Sequence, residues 1–185
     1  MSKQVKNPLR LRKKHGDGTA PNVSAADGQR LMNAQSLRGA FMAGLITIII
    51  FSVFWIALTE LFDRVFPWLT VLLGYLLGFA VRIAGKGVDW RFPLLAALLA
   101  IVGAVTANVM LAAVTTAESL GVGTLSLLQS VTSMTWPVFF DEVWTVADSF
   151  FAIVAASLAA FFANRRLTRT QFHGLRLWRT EINNK

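Results

Sequence analysis

The sequence predicts an all-α integral membrane bundle of four transmembrane helices with cytoplasmic N- and C-termini, and three observations lead to it. Hydrophobic residues make up 55% of the chain and charged residues 15%, whereas soluble domains carry roughly 25% charged residues. The apolar residues are gathered into long uncharged runs instead of recurring with the period of an amphipathic core helix. The basic residues stand in blocks beside those runs, which is how a membrane protein encodes its orientation.

The first run, 39–58 (GAFMAGLITIIIFSVFWIAL), has twenty residues and no charge. At 1.5 Å per residue a helix of that length crosses a hydrocarbon core of about 30 Å. It follows a long polar segment and no small-x-small cleavage site comes after it, so it reads as an uncleaved span and not as a signal peptide. The second run, 65–81, contains Pro67, suited to a first helical turn, and Trp68, suited to the interface. The third, 93–116, also opens on a proline, and the fourth, 143–163, stops before Asn164, Arg165 and Arg166.

Orientation follows from the 18 lysines and arginines. The N-terminal tail holds Lys3, Lys6, Arg10, Arg12, Lys13, Lys14, Arg30 and Arg38. The second connection holds Arg82, Lys86 and Arg91. The C-terminal tail holds Arg165, Arg166, Arg169, Arg176, Arg179 and Lys185. Arg64 alone falls on the other side. Such asymmetry places both termini in the cytoplasm. Segment 119–140 is long enough for a fifth span. Its glycines, hydroxyl residues and Gln129 suit a lipid-facing helix poorly, and a crossing there would export six basic residues. It is therefore expected to be an outer loop, 117–142, carrying an interfacial or re-entrant helix with Trp136, Pro137 and Trp144 near the headgroups.

Residues 1–38 form a basic tail, too polar to bury a core and expected to be disordered to about residue 23. A short helix is expected from Ser24, with Ser24 and Asp27 resembling a capping box. The C-terminal tail, 165–185, interleaves arginine with Leu167, Phe172, Leu175 and Trp178. That pattern fits an amphipathic helix lying on anionic lipid, or docking onto a partner protein.

Four groups of residues are candidates for function. Arg82, Gly85, Lys86, Gly87 and Arg91 form a basic, glycine-containing turn between the second and third spans. It reads as a topogenic hinge whose glycines permit a tight reversal, or as a site for a lipid phosphate, because backbone N–H groups there can form an anion nest. Gly74 and Gly78 make a GxxxG, and Ala100 and Gly103 lie on a small-residue ridge. Both support close helix packing, within one bundle or between copies. Asn108 is a polar residue within the third span. Asp148, at the start of the fourth, is either a helix-capping group or a functional acid.

Several chemistries are excluded or disfavoured. Without cysteine there are no disulfides and no thiolate metal sites, and His15 and His173 stand isolated in the tails. No HExxH, GxSxG or GxxxxGK[ST] occurs. No catalytic residue, metal or cofactor is expected. The basic tails carry no nucleic-acid-binding motif, so no nucleic acid is expected either. The expected partners are anionic headgroups on the cytoplasmic side, together with other membrane proteins or further copies of the chain.

Residues 78–87, GFAVRIAGKG, followed by Arg91 and Phe92, resemble a group of small multi-pass bacterial membrane proteins that carry a G-x-A-V-R-x-x-G-x-G hairpin between adjacent spans. Those proteins often have a Gly-Asn pair in the next span. Here Asn108 is preceded by Ala107 and followed by Val109. An aspartate opening an aromatic-rich last span is similar to Asp148-Ser-Phe-Phe151. The resemblance covers residues 74–165 and implies a bacterial inner-membrane setting without implying an activity. The function expected is that of a non-enzymatic accessory or assembly subunit, or scaffold. The alternative is a small ion- or solute-transport protein acting as an oligomer.

Overall fold

The computed structural model describes residues 24–130 and 135–183, and among these the regular structure is entirely helical. The expected disorder before residue 23 and part of the ambiguous segment 119–140 lie outside the described residues. The chain divides into two compact units, one of residues 30–167 and one that joins the N-terminal segment up to residue 29 to the segment from residue 168 onward.

In the larger unit, α2 (Leu37–Phe62), α4 (Arg91–Leu120) and α7 (Val146–Ala163) are each long and apolar enough to cross a membrane. Between the first two runs α3 (Leu69–Gly85), an apolar helix of 17 residues. At 1.5 Å per residue it is about 26 Å long. It starts later than the sequence suggests because Pro67 and Trp68 belong to a tight turn before it. The amides of Leu69, Thr70 and Val71 there donate to the carbonyls of Phe66, Pro67 and Trp68.

Although it is short, α3 packs against α2, α4 and α7 and holds the centre of the unit. Leu69, Leu73, Leu77 and Val81 recur every four residues, and none is more than 2% exposed. They meet Ala96, Ala100 and Ala107 of α4, Ala159 and Ala163 of α7, and the large side chains of Phe51 and Trp55 from α2. Small residues on α4 and α7 let these helices lie close to α3, since backbone approach in such bundles is limited by Cβ volume. On the outward surface of α2, Met42, Ile46, Ile49, Ile50 and Val53 are exposed and apolar. That matches a helix whose outer solvent is hydrocarbon.

The helix ends are capped in ways that the sequence partly foretells. Ser36 caps α2, its hydroxyl accepting from the Gly39 amide at 3.0 Å. Asp63 ends α2 in the left-handed region at φ 49°. Gly121 ends α4 at φ 66°. The segment proposed as an outer loop contains α5 (Thr124–Ser130) and α6 (Trp136–Val143), both packed against α4 and both far too short to span. Trp136 and Phe140 of α6 and Trp144, its C-cap, follow one another with ring centroids 6.3 and 5.6 Å apart.

The smaller unit holds the start of α1 (Ala25–Asn33) and all of α8 (Arg169–Asn183). At Ser24 only part of the anticipated capping box forms. Asp27 accepts from the Ser24 amide at 3.1 Å, while the Asp27 amide bonds the Ser24 carbonyl instead of its hydroxyl. Helix α8 starts on a capping box of Thr168 and Gln171. The Thr168 amide donates to Gln171 Oε1 at 3.1 Å, and the Gln171 amide donates to the Thr168 hydroxyl at 3.4 Å. The two helices touch at Gly28 and Gly174, where a Cβ on Gly28 would lie 2.8 Å from the Gly174 carbonyl carbon. Leu175, expected on a lipid-facing stripe, is therefore buried, whereas Phe172 stays exposed.

Candidate functional site

The turn after α3 is the first of two places where singled-out residues come together. Its carbonyls and amides are bonded to distant parts of the chain. The Ser36 amide donates to the Gly85 carbonyl at 2.9 Å, and the Arg165 amide donates to the Gly87 carbonyl at 3.0 Å. The Val88 amide donates to the side-chain oxygen of Gln35 at 3.3 Å. The start of α2, the end of α3, the start of α4 and the segment leaving α7 thus meet in one junction. Arg38, Arg82, Lys86, Arg91, Arg165 and Arg166 all belong to it by sequence position.

The expected role of the two glycines in this turn needs correction. Neither has positive φ; the left-handed residue is Lys86, at φ 49° and ψ 31°, with its amide bonded to the Arg82 carbonyl. Gly85 and Gly87 are instead small because the buried ring of Phe92 covers both. A Cβ on Gly85 would lie 2.7 Å from Phe92 Cε1, and one on Gly87 would lie 2.5 Å from Phe92 Cδ1. Two buried glycines under an aromatic ring leave Lys86 and Arg91 exposed and Arg82 half-buried around them.

The GxxxG of α3 faces α7. A Cβ on Gly74 would lie 2.6 Å from Ala155 Cα, and one on Gly78 would lie 2.7 Å from the Ala159 oxygen. Close packing of these residues takes place within one bundle. Ala100 is fully buried, and Gly103 abuts Ile48 of α2 and Leu73 of α3.

The second place is at the opposite end. Asn108 of α4 and Asp148 of α7, forty residues apart in the chain, line the same open-sided cavity of about 330 Å³ together with Thr115 and Thr145. Asn108 is 8% exposed and Asp148 7%. Asp148 is the third residue of α7 and completes a capping box with Thr145. Its Oδ2 accepts from the Thr145 amide at 2.9 Å and from the Thr145 hydroxyl at 2.6 Å. The Asn108 amide nitrogen donates to the Ala104 carbonyl of its own helix at 3.0 Å.

In the sequence Asn108 and Asp148 are separate features. Only the packing of α4 on α7 joins them, and no spacing rule signals that. Helices α2 and α3 also carry buried polar atoms. Ser52, Trp55 and Thr59 fall at spacings of three and four on the inner face of α2. Their polar side-chain atoms, like the Thr70 hydroxyl of α3, have no hydrogen-bond partner among the described residues. The spacing itself was visible in the sequence.

No known family, no curated protein and no solved structure matches the chain. Among the described residues the regular structure is all helical, with three helices long and apolar enough to cross a membrane and a fourth, shorter apolar helix at their centre.

Proposed function

We propose that the chain is a non-enzymatic multi-pass protein of the cell inner membrane that binds membrane partners as an accessory or assembly subunit. In this reading it has four spans and both termini in the cytoplasm. The observation that carries it is the hydrogen-bonded junction at the Gly85–Gly87 turn. It gathers both tail exits and the basic connection at one end, where an anionic cytoplasmic leaflet attracts them at about 1 kcal/mol per surface cation. The contacts of α3 with all three span-length helices support counting it as the fourth span; being shorter than the hydrocarbon core, it crosses through locally thinned lipid with its flanking residues snorkelling to the interface. Arg82, Lys86 and Arg91 then contact anionic headgroups. The apolar outer face of α2 meets lipid or a partner helix.

Two measurements test this. A reporter fused after Lys185 reports a cytoplasmic C-terminus; a periplasmic signal overturns the four-span orientation. Crosslinking in native membranes, followed by mass spectrometry, recovers the chain joined to a membrane protein. Recovery only as a free monomer removes the accessory role. The cavity shared by Asn108 and Asp148 supports a second reading, that of a small ion- or solute-transport protein acting as an oligomer.

A further inference from the structure

The cavity at the end opposite the basic turn has one-sided hydrogen-bonding chemistry. Both donors of Thr145 go to Oδ2 of Asp148, and Oδ1 receives no donor among the described residues. Asn108 donates to its own helix, and its Oδ1 accepts nothing there. The Thr115 hydroxyl proton is directed to the Leu111 and Ala112 carbonyls at 3.2 and 3.1 Å, so its oxygen has only lone pairs left to offer. No lysine, arginine or histidine is among the described residues that line the space, and its walls are Val65, Pro67, Leu111, Ala112 and Val143.

Asp148 is buried, and no cationic side chain stands among the described residues that line the cavity with it; hydrogen bonds to a carboxylate are strongest from a charged donor. The remaining acceptors call for a donor that carries positive charge. Inorganic Ca²⁺ takes six to eight oxygen ligands, which these walls do not offer. A cation with an apolar part matches both the acceptors and the walls, and the volume falls within the range of small-molecule sites, about 300–1,000 Å³.

We propose that this cavity binds a small alkylammonium cation. Its N–H groups are taken by Asp148 and Asn108, and its chain lies on Val65, Pro67, Leu111 and Val143. The inference goes beyond the accessory reading and holds whether or not anything is moved across the membrane.

The test uses the full chain in phosphatidylcholine nanodiscs, which carry no net charge to attract the probe. Butylammonium chloride is titrated by calorimetry, with 1-butanol and sodium chloride as the neutral and inorganic comparators. Saturable binding of butylammonium is expected, with both comparators weaker by about tenfold or more. Asp148→Asn retains a carbonyl oxygen for the Thr145 amide and is expected to weaken binding by about tenfold or more. Ala112→Leu fills the space from the wall, leaves the capping box intact and is expected to weaken binding similarly. If Asp148→Asn does not fold, Ala112→Leu decides. The proposal is overturned if the wild-type chain shows no saturable uptake, if 1-butanol or sodium binds as tightly, or if the folded variants bind like wild type.

Discussion

Gly74→Ala is expected to pull α3 away from α7 and to destabilise the solubilised protein by about 2–3 kcal/mol, at the upper end for overpacking by one methylene-sized group. The size of the effect follows from what the new methyl meets. It would lie 2.6 Å from the Cα and 2.7 Å from the carbonyl carbon of Ala155, and backbone cannot rotate aside as a side chain can. Ala155→Gly therefore should not rescue it. Gly103→Ala is expected to be milder, because its nearest neighbour is the Ile48 side chain at 2.9 Å. Gly123→Ala, whose nearest neighbour is the Ser126 hydroxyl at 3.5 Å, should change stability by less than about 0.5 kcal/mol. Thermal unfolding in a mild detergent gives the ranking. If the GxxxG served association between copies, Gly74→Ala would change the oligomeric state and leave the melting of the monomer intact. That result would sink the intramolecular account.

Adjacent residues in the basic turn are expected to respond in opposite directions. Gly87→Ala places a methyl 2.5 Å from Phe92 Cδ1. The ring cannot retreat, because Phe92 is 3% exposed and part of the core. A loss of about 1–3 kcal/mol follows. Phe92→Ala empties the same space and is expected to cost about 3–5 kcal/mol. Lys86→Gly relieves a left-handed residue and should stabilise by about 1 kcal/mol. If the glycines were present to cradle phosphate, Gly87→Ala would leave melting unchanged and abolish binding to anionic vesicles. Measuring melting and vesicle binding on the same three variants separates these accounts.

The helices over residues 37–62, 91–120 and 146–163 follow from composition alone, because hydrocarbon admits only long apolar stretches with satisfied backbones. Their ends shifted by a few residues, as capping by Ser36, Gly121 and Thr145 decides where hydrogen bonding begins and stops. The partners of Gly74 and Gly78 were only half legible. The motif announces close approach but not whether the surface approached belongs to α7 or to another copy. The glycines of the turn were misassigned because Gly-Lys-Gly looks like a reversal built on glycine flexibility. The decisive residue, Phe92, acts through a ring that folds back over the turn, and no local pattern reports that. Asn108 and Asp148 were each visible as polar residues in apolar surroundings; their meeting depends on the packing of α4 on α7.

The junction at the turn also has a timetable. When the ribosome has made the end of α3, Gly85 and Val88 can already bond to Ser36 and Gln35, the latter 53 residues behind. The Gly87 carbonyl has to wait for Arg165, which emerges only after α4, α5, α6 and α7. At roughly 5–20 residues per second that interval is on the order of several seconds. Helices α2 and α3 can thus be latched early, while the end of α7 is secured by an acceptor held open for it. A chain that stalls before Arg165 would be left with that latch unfinished.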